Sequence, residues 1–435
     1  MNRILLVGNG AREHTIAKAL KYNENVELMA YMNRINPGIK SLAKEIHIGN
    51  LNSNESIVDF AKKTKADLAV IGPENPLANG IVDELMKDAD IPSASPDKAM
   101  SKLEWSKAYC RQILFDNSIP ANPEFHIFTD RDDQNEIVRE MNRLMKDWNN
   151  QVAVKPDYLT GGKGVKVWGD HFSDRDQVLD YIGDVLSKGN HKVIVEKKLQ
   201  KPSQLVNSEF TLQAFVSGEN LLGMPLVQDF KRAYDGDKGP NTGSMGSYSC
   251  KDLLLPFLSS NDYEFALEVM KSAVRAIGGY RGFLYGQFML TTEGVKLIEF
   301  NSRLGDPEAI NVLPLFLEDF TQSCYKLVQG VLPKDHWQKK ATVCVYLTPK
   351  GYPINPVEGM KVKIDVPQIQ EMNGGIYYAS VKEEATNTVS TTSSRALGIL
   401  GIGDSVSEAR NIAYSCIGHV RGDLHYRTDI AGGIK

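Results

Sequence analysis

Cysteine is scarce in this chain of 435 residues, which carries only five. Cys110, Cys250, Cys324, Cys344 and Cys416 lie far apart, with no CxxC pair and no Cys/His cluster at zinc spacing. A scattered, odd count argues against a disulfide framework and for reduced thiols in a cytoplasmic enzyme. Apolar runs long enough to cross a membrane are missing too, and no signal-like stretch precedes the first strand pattern, Arg3–Val7. A net charge of −4 gives no basic excess that would suggest nucleic acid as a partner, though it leaves local sites for small anions open. No Ser/His/Asp or Cys/His nucleophile signature is present, and no GxxxxGK[ST] phosphate loop. His47 and His171 have no evident partners and read as surface or packing residues.

The remaining composition is that of a globular protein, 42% hydrophobic and 24% charged. The length predicts about two to four domains. Up to about residue 100, strands at Ile4–Val7, Val26–Tyr31 and Asp67–Gly72 alternate with helices at Glu13–Lys21, Glu55–Thr64 and Gly80–Asp88. That rhythm predicts βαβ units and a mostly parallel sheet. After the turn-rich junction Ile91–Pro96 come helices at Ser106–Asn117 and Asn135–Asp147, a strand at Gln151–Lys155 and a glycine-rich loop, Thr160–Gly164. Further strands are expected at Val165–Trp168, Lys192–Glu196, Glu209–Val216 and Leu221–Val227, then a long polar loop, Asp229–Ser247, and a helix at Asp262–Gly278. Pro333 marks a boundary, beyond which short strands and a helix at Ser405–Cys416 predict a small α+β domain. The expected plan is thus a multi-domain α/β protein: residues 1–100, 101–332 with a lid at about 120–195, and 333–435.

The densest chemistry lies in Leu297–Glu308, a strand running into a polar loop. Alternation puts Glu299 and Asn301 on one face, and a carboxylate with an amide oxygen suits Mg²⁺. Gly282–Leu290 reads as the partner strand, joined through a three-residue loop, Thr292–Gly294. That register sets Gln287 opposite Glu299 and Phe288 opposite Ile298, so Gln287 joins the oxygen-bearing face. A surface hairpin with ordinary polar residues is the alternative.

Four other stretches stand out. Gly8-Asn-Gly-Ala-Arg-Glu-His14 follows the first strand and opens a helix, where backbone N–H groups and Arg12 could hold a phosphate. Glu13 stands where a dinucleotide fingerprint needs its third glycine, and Ala30-Tyr31-Met32 lacks the acidic ribose partner. A structural turn stays open as the other reading. Glu74, in Gly72-Pro-Glu-Asn-Pro-Leu77, ends a parallel strand where ligands bind such sheets, or is a solvated residue in a Pro-rich turn. Lys155 and Lys163 flank the glycine loop like a phosphate cover, with a hairpin tip as the plainer reading. Gln228-Asp-Phe-Lys-Arg232 and Gly239-Pro-Asn-Thr-Gly243 sit in a loop long enough to be functional or disordered.

Together these motifs resemble the ATP-grasp ligases and, among them, the phosphoribosylamine–glycine ligase family, in the same order from residue 3 to about 316. The resemblance implies an ATP-grasp fold with an N-terminal parallel-sheet domain and a small C-terminal domain. It implies that glycine, 5-phosphoribosylamine and ATP give glycinamide ribonucleotide, ADP and phosphate through glycyl phosphate, in purine synthesis. Glu299 and Asn301, with Gln287, would hold Mg²⁺ or Mn²⁺. Lys107, Lys155 and the loop Gly161, Gly162, Lys163, Gly164 would engage ATP. Glu196, in a connecting segment, would face adenine, and Glu209 the ribose. Asn9, Gly10, Arg12 and Glu74 would hold the phosphoribosyl part. Asp229, Lys231, Arg232, Arg303 and Asp306 would surround glycine and the acyl phosphate, with Asp229, Lys231 and Arg303 as catalytic residues, and Asn241 would bind substrate. A cytoplasmic monomer working on small molecules is expected.

The chain departs from the family pattern at Pro156, Tyr158, Phe230, Ser244 and Leu304, and Gln200–Ser208 is longer than in typical bacterial members. None of these removes a charge the reaction needs. Another ATP-grasp carboxylate–amine ligase would share the metal pair but not both glycine motifs. A nicotinamide-dependent dehydrogenase is disfavoured by the missing fingerprint residues, and a nucleotide-binding module without turnover by the retained lysines.

Overall fold

The computed structural model describes residues 2–159, 164–189 and 192–434. The chain opens with a parallel sheet ordered Glu45–Ile48, Val26–Met32, Asn2–Val7, Leu68–Ile71. Its inner strands are continuous apolar runs because helices cover both faces, giving two separate cores. Strand Glu45–Ile48 and helix Pro37–Leu42, capped by Asn36, have no counterpart in the predicted plan. Glu74 begins a short helix, Glu74–Asn79, rather than a Pro-rich turn.

A second, antiparallel sheet is ordered Phe125–Thr129, Lys192–Lys197, Val152–Pro156, Lys166–Val167. Helices Gln134–Asp147 and Arg175–Ser187 pack on it around an apolar cluster of its own, including Phe128, Met141 and Ile182. A third sheet runs Asn220–Gly223, Glu209–Gly218, Tyr280–Thr291, Gly294–Asn301. Its hairpin sets Gln287 opposite Glu299, the predicted register, by a different route. Thr291 pairs with Gly294, so the loop is only Thr292–Glu293, and Phe288 faces Leu297 rather than Ile298. The register shift that follows Gln287 leaves Ile298 as an extra residue and restores the pairing.

The segment predicted as a long polar loop is built of short strands. Gln228–Asp229 pairs with Gly246–Ser249, and Arg232–Tyr234 with Lys238–Asn241. Gly246–Ser249 also pairs with Ala341–Pro349, so it enters the sheet that continues through Leu397–Gly403 to Gly374–Tyr378. The serines of this strand are buried and satisfied: Ser247, the last residue of the expected loop, bonds Asn311, and Ser249 lies 2.8 Å from the Thr342 hydroxyl. The middle and C-terminal regions consequently share one apolar core, in which Leu212 and Phe288 join the same cluster as Val343 and Ile399. Among the described residues no helix is long and apolar enough to cross a membrane.

Candidate active site

Two adjoining cavities, of about 370 and 480 Å³, meet at Val165, Lys231 and Asn241. The larger lies under the second sheet and holds a buried ionic triad. Lys155 Nζ lies 2.7 Å from Glu196, and Arg111 grips both oxygens of that carboxylate at 2.8 and 3.1 Å. Arg111 also donates to the Ile298 carbonyl at 2.6 Å, and Lys155 to the same oxygen at 3.4 Å. The bulge at Ile298 therefore turns a strand carbonyl toward two cations. Burial alone would raise the Glu196 carboxyl, but Arg111 and Lys155 outweigh it and bring it down to about 2. Burial lowers the Lys155 ammonium against the pull of Glu196. Glu196 is thus a strand residue locked between two cations, not part of a connecting segment. That segment, Lys198–Ser208, lines the cavity after it.

Across Lys231, the adjoining end of the smaller cavity is acidic. Glu299 makes no hydrogen bond or ion pair with any described residue, and the Asn301 oxygen accepts only from Arg303, at 3.3 Å. Asp229 is 3% exposed, and its Oδ1 has no hydrogen-bond donor and lies 3.8 Å from Lys231. Burial lifts its carboxyl to about 7; Lys231 opposes this, while Glu308 and Glu209 add to it. Lys231 also pairs with Glu209. One ammonium thus serves Asp229 and Glu209, with Glu299 and Glu308 close by. An orphaned carboxylate oxygen and an unbonded glutamate are the donor set a hard divalent cation takes. Among the described residues no three acidic, His or Cys side chains cage a cation by themselves. That fits an ion whose remaining ligands are phosphates and water.

Gln287 differs from its expected place as an oxygen donor. Its amide oxygen accepts from Tyr285 and from Thr211, the latter at 3.2 Å, and its Nε2 donates to Glu209 at 3.3 Å. Turning the amide over would set its oxygen against the Glu209 carboxylate, so the orientation is fixed by charge.

The smaller cavity extends toward the N-terminal sheet. The Gly-Asn-Gly turn holds glycine because Glu13 folds beneath it: a Cβ at Gly8, Gly10 or Gly72 would come within 2.6, 2.7 or 2.2 Å of that side chain. Gly10 N–H donates to Glu13 at 2.5 Å, so this amide is already used. Arg12 pairs with Glu13 at 2.7 Å and also donates to the Leu304 carbonyl, at 3.3 Å. The Asn9 carbonyl accepts from Asn36 at 2.9 Å. Arg303 sits between Glu74 at 3.3 Å and Glu104 at 3.2 Å. Burial raises both carboxyls. For Glu74 the Arg303 and Arg12 charges win and lower it; for Glu104 burial wins. Lys107 starts a helix capped by Ser106, and Asp157 accepts from Ala108 N–H at 2.9 Å, tying that helix to the Lys155 strand. Arg232 pairs with Asp170 of the second sheet's region at 2.9 Å, and Asn241 lies opposite it in the two-stranded ribbon. Gly164 accepts a 2.7 Å bond from Tyr181, whereas Gly161, Gly162 and Lys163 lie outside the described residues.

Charged side chains at the site that have no part in the sequence expectations include Arg111, Glu104, Glu308 and Arg395. Glu308 lies inside the quoted motif without a role. Glu104 precedes Lys107 by three residues and lies in a separate short helix, Lys102–Trp105. Arg395 follows a Ser-rich turn and carries no local signal.

Family models for phosphoribosylglycinamide synthetase match the chain in three consecutive parts: the N domain over residues 2–104, the ATP-grasp (A) domain over 105–309 and the C domain over 342–433. The phosphoribosylamine–glycine ligase of Methanococcus maripaludis is 43% identical over 437 residues, covering 98% of this chain and 96% of the relative. This chain belongs to the phosphoribosylamine–glycine ligase family. The ligase of Thermococcus gammatolerans is similar at 42% identity, covering 98% and 94% of the two chains. The crystal structure of phosphoribosylamine–glycine ligase from Thermotoga maritima superposes with a TM-score of 0.79 at 27% identity, covering 99% of this chain and all of that one. The biotin carboxylase domain of the Hydrogenobacter thermophilus 2-oxoglutarate carboxylase shares the fold, with a TM-score of 0.75 at 14% identity over 98% and 91% of the chains. The three sheets and the C-terminal region thus form an ATP-grasp ligase fold of this family.

Proposed function

We propose that this family member joins glycine to 5-phosphoribosylamine, converting ATP to ADP and phosphate and yielding glycinamide ribonucleotide for purine synthesis. One observation carries the reading: a cavity walled by Lys155 and the Lys198–Ser208 segment opens at Lys231 into a cleft that ends on Arg12 and Glu74. A nucleotide in the first and a phosphorylated sugar amine in the second would meet beside Glu299, Asn301 and Arg303.

In this scheme the glycine carboxylate attacks the γ-phosphorus of ATP and ADP leaves; the sugar amine then attacks the carbonyl carbon of the resulting glycyl phosphate, forming the amide, expelling inorganic phosphate and releasing a proton. Lys155 and Lys107 hold nucleotide phosphates, with Gly161, Gly162, Lys163 and Gly164 as their cover. Glu209 takes the ribose. Lys231 and Arg303 balance negative charge on the transferred group, and preorganised cations of this kind are worth most where water is excluded. Glu299 and Asn301 would hold Mg²⁺ or Mn²⁺, which when bound neutralises phosphate charge. Asn9, Gly10, Arg12 and Glu74 orient the phosphoribosyl group. Asn241 and Arg232 close the cleft from the ribbon, and Arg232 reaches the second sheet through Asp170. All five cysteines are free and buried, which suits a monomer working in a reducing cytoplasm.

The test is ADP release from the purified protein with Mg²⁺, using ribose 5-phosphate and ammonia to generate the amine, with and without glycine. Release that requires both glycine and the amine source is expected. Release that requires neither points to another ATP-grasp substrate, and bound ATP without release to a module that does not turn over.

A further inference from the structure

The C-terminal region reaches the cleft through Arg395, in the turn between strands Thr388–Thr391 and Leu397–Gly403. Its side chain is 13% exposed and lies 2.8 Å from Asp306 Oδ2. Nη1 donates to the Gly243 carbonyl and, at 3.2 Å each, to those of Ser244 and Asp306. The guanidinium lies 4.2 Å over the Tyr346 ring, and the Tyr346 hydroxyl donates to the other Asp306 oxygen, Oδ1. One planar fork therefore ties the Asp306 carboxylate to the Gly243 and Ser244 carbonyls, a geometry a lysine does not reproduce.

The Asp306 carboxylate also lines the cleft. An ionised carboxylate has about four acceptor sites. Arg395 and Tyr346 occupy one on each oxygen, which leaves the others for a ligand. Of the other carboxylates of the cleft, Glu74 and Glu104 pair with Arg303, Glu308 shares the Tyr285 and Thr211 hydroxyls with Gln287, and Asp229 and Glu299 lie on the side of Lys231 read above as the cation site. A zwitterionic amino acid whose carboxylate sits by Lys231 and Arg303 needs a fixed anion for its ammonium group.

We propose that Arg395, backed by Tyr346, is a positioning residue that holds Asp306 as the acceptor for the ammonium group of the amino-acid substrate. The C-terminal region then selects the α-amino acid through a residue that does not touch it. This rests on the ligase reading above.

The test is steady-state kinetics of the full chain and of R395M, R395K, D306N and Y346F. R395M and D306N should raise KM for glycine roughly tenfold or more, with KM for ATP unchanged and kcat within about threefold. R395K should fall between wild type and R395M, and Y346F should raise the same constant about threefold. If R395M does not fold, R395K and Y346F carry the test. Variants that lower kcat alone, or raise the ATP and glycine constants together, overturn the proposal and leave Arg395 a structural brace. Wild-type turnover that ignores glycine sinks the ligase reading itself, whereas glycine-dependent wild type with unmoved variants sinks only this inference.

Discussion

The wall of the larger cavity and the facing wall of the adjoining cleft use similar charged side chains in opposite ways. On one, Arg111, Lys155 and Glu196 are buried and pair with one another, and the Ile298 carbonyl accepts from both cations. On the other, Asp229, Glu209, Glu299 and Glu308 gather near a single Lys231, and Glu299 bonds to nothing described. The first arrangement is complete without a ligand, while the second is short of positive charge. A paired buried network fixes geometry at little net gain in stability, whereas clustered like charges favour whatever cation arrives. Lys155 is thus held on a rigid base, whereas the acidic wall is the one whose charge a cation would relieve.

The largest expected effect separates the walls by kind. Glu299→Gln should lower kcat/KM by roughly 10²–10³-fold. It should leave unfolding free energy within about 1 kcal/mol of wild type, since no partner is orphaned. Glu196→Ala should do the reverse first: it strands Arg111 and Lys155 as buried unpaired cations and should cost about 3–5 kcal/mol in urea unfolding. Equal stability losses in both variants would erase the distinction.

Much of this contrast was legible beforehand. Period-two alternation put Glu299 and Asn301 on one face, and the opposition of Gln287 and Glu299 survives even though the loop is one residue shorter than predicted. The extra residue at Ile298 makes up the difference, and nothing in Leu297-Ile298-Glu299 announces a bulge. The apolar runs of the N-terminal strands stated their burial directly, because parallel strands buried on both faces need no polar alternation. Gly246–Ser249 hid for the opposite reason: its serines are buried by side-chain bonds to Asn311 and Thr342, partners far away in sequence. Arg395 was illegible on the same ground, since its meaning lies wholly in Asp306 and Tyr346. Glu13 shows a local pattern misleading in part: the glycines that suggest an anion cradle also make room for its carboxylate.

The walls should also respond to pH with opposite signs. Glu196 is depressed from 4.5 to about 2, so its stabilisation, roughly 3 kcal/mol, is present above 4.5 and lost as pH falls through 2. Asp229 is raised from 3.8 to about 7, so its contribution is present below 3.8 and lost as pH rises through 7. In metal-free protein, the melting temperature of D229N relative to wild type should therefore climb between pH 4 and pH 7. Parallel melting curves across that window would remove Asp229 from the unbalanced wall.

The smallest effect decides on which wall Gln287 belongs. An amide that ligates metal through oxygen must keep that oxygen free, and here it accepts from Tyr285 and Thr211 while the nitrogen holds Glu209. Gln287→Met keeps the volume and deletes the bond to Glu209, leaving that carboxylate to Lys231 alone. If Gln287 only orients Glu209, KM for ATP should rise by about two- to fivefold, the loss of one hydrogen bond to a charged group shared with a lysine. The Mg²⁺ or Mn²⁺ concentration for half-maximal activity should stay in place, because Glu299 and Asn301 are untouched. A shift of tenfold or more in that concentration, with KM for ATP unmoved, would return Gln287 to the metal set. The acidic wall would then supply three protein oxygens to the ion instead of two.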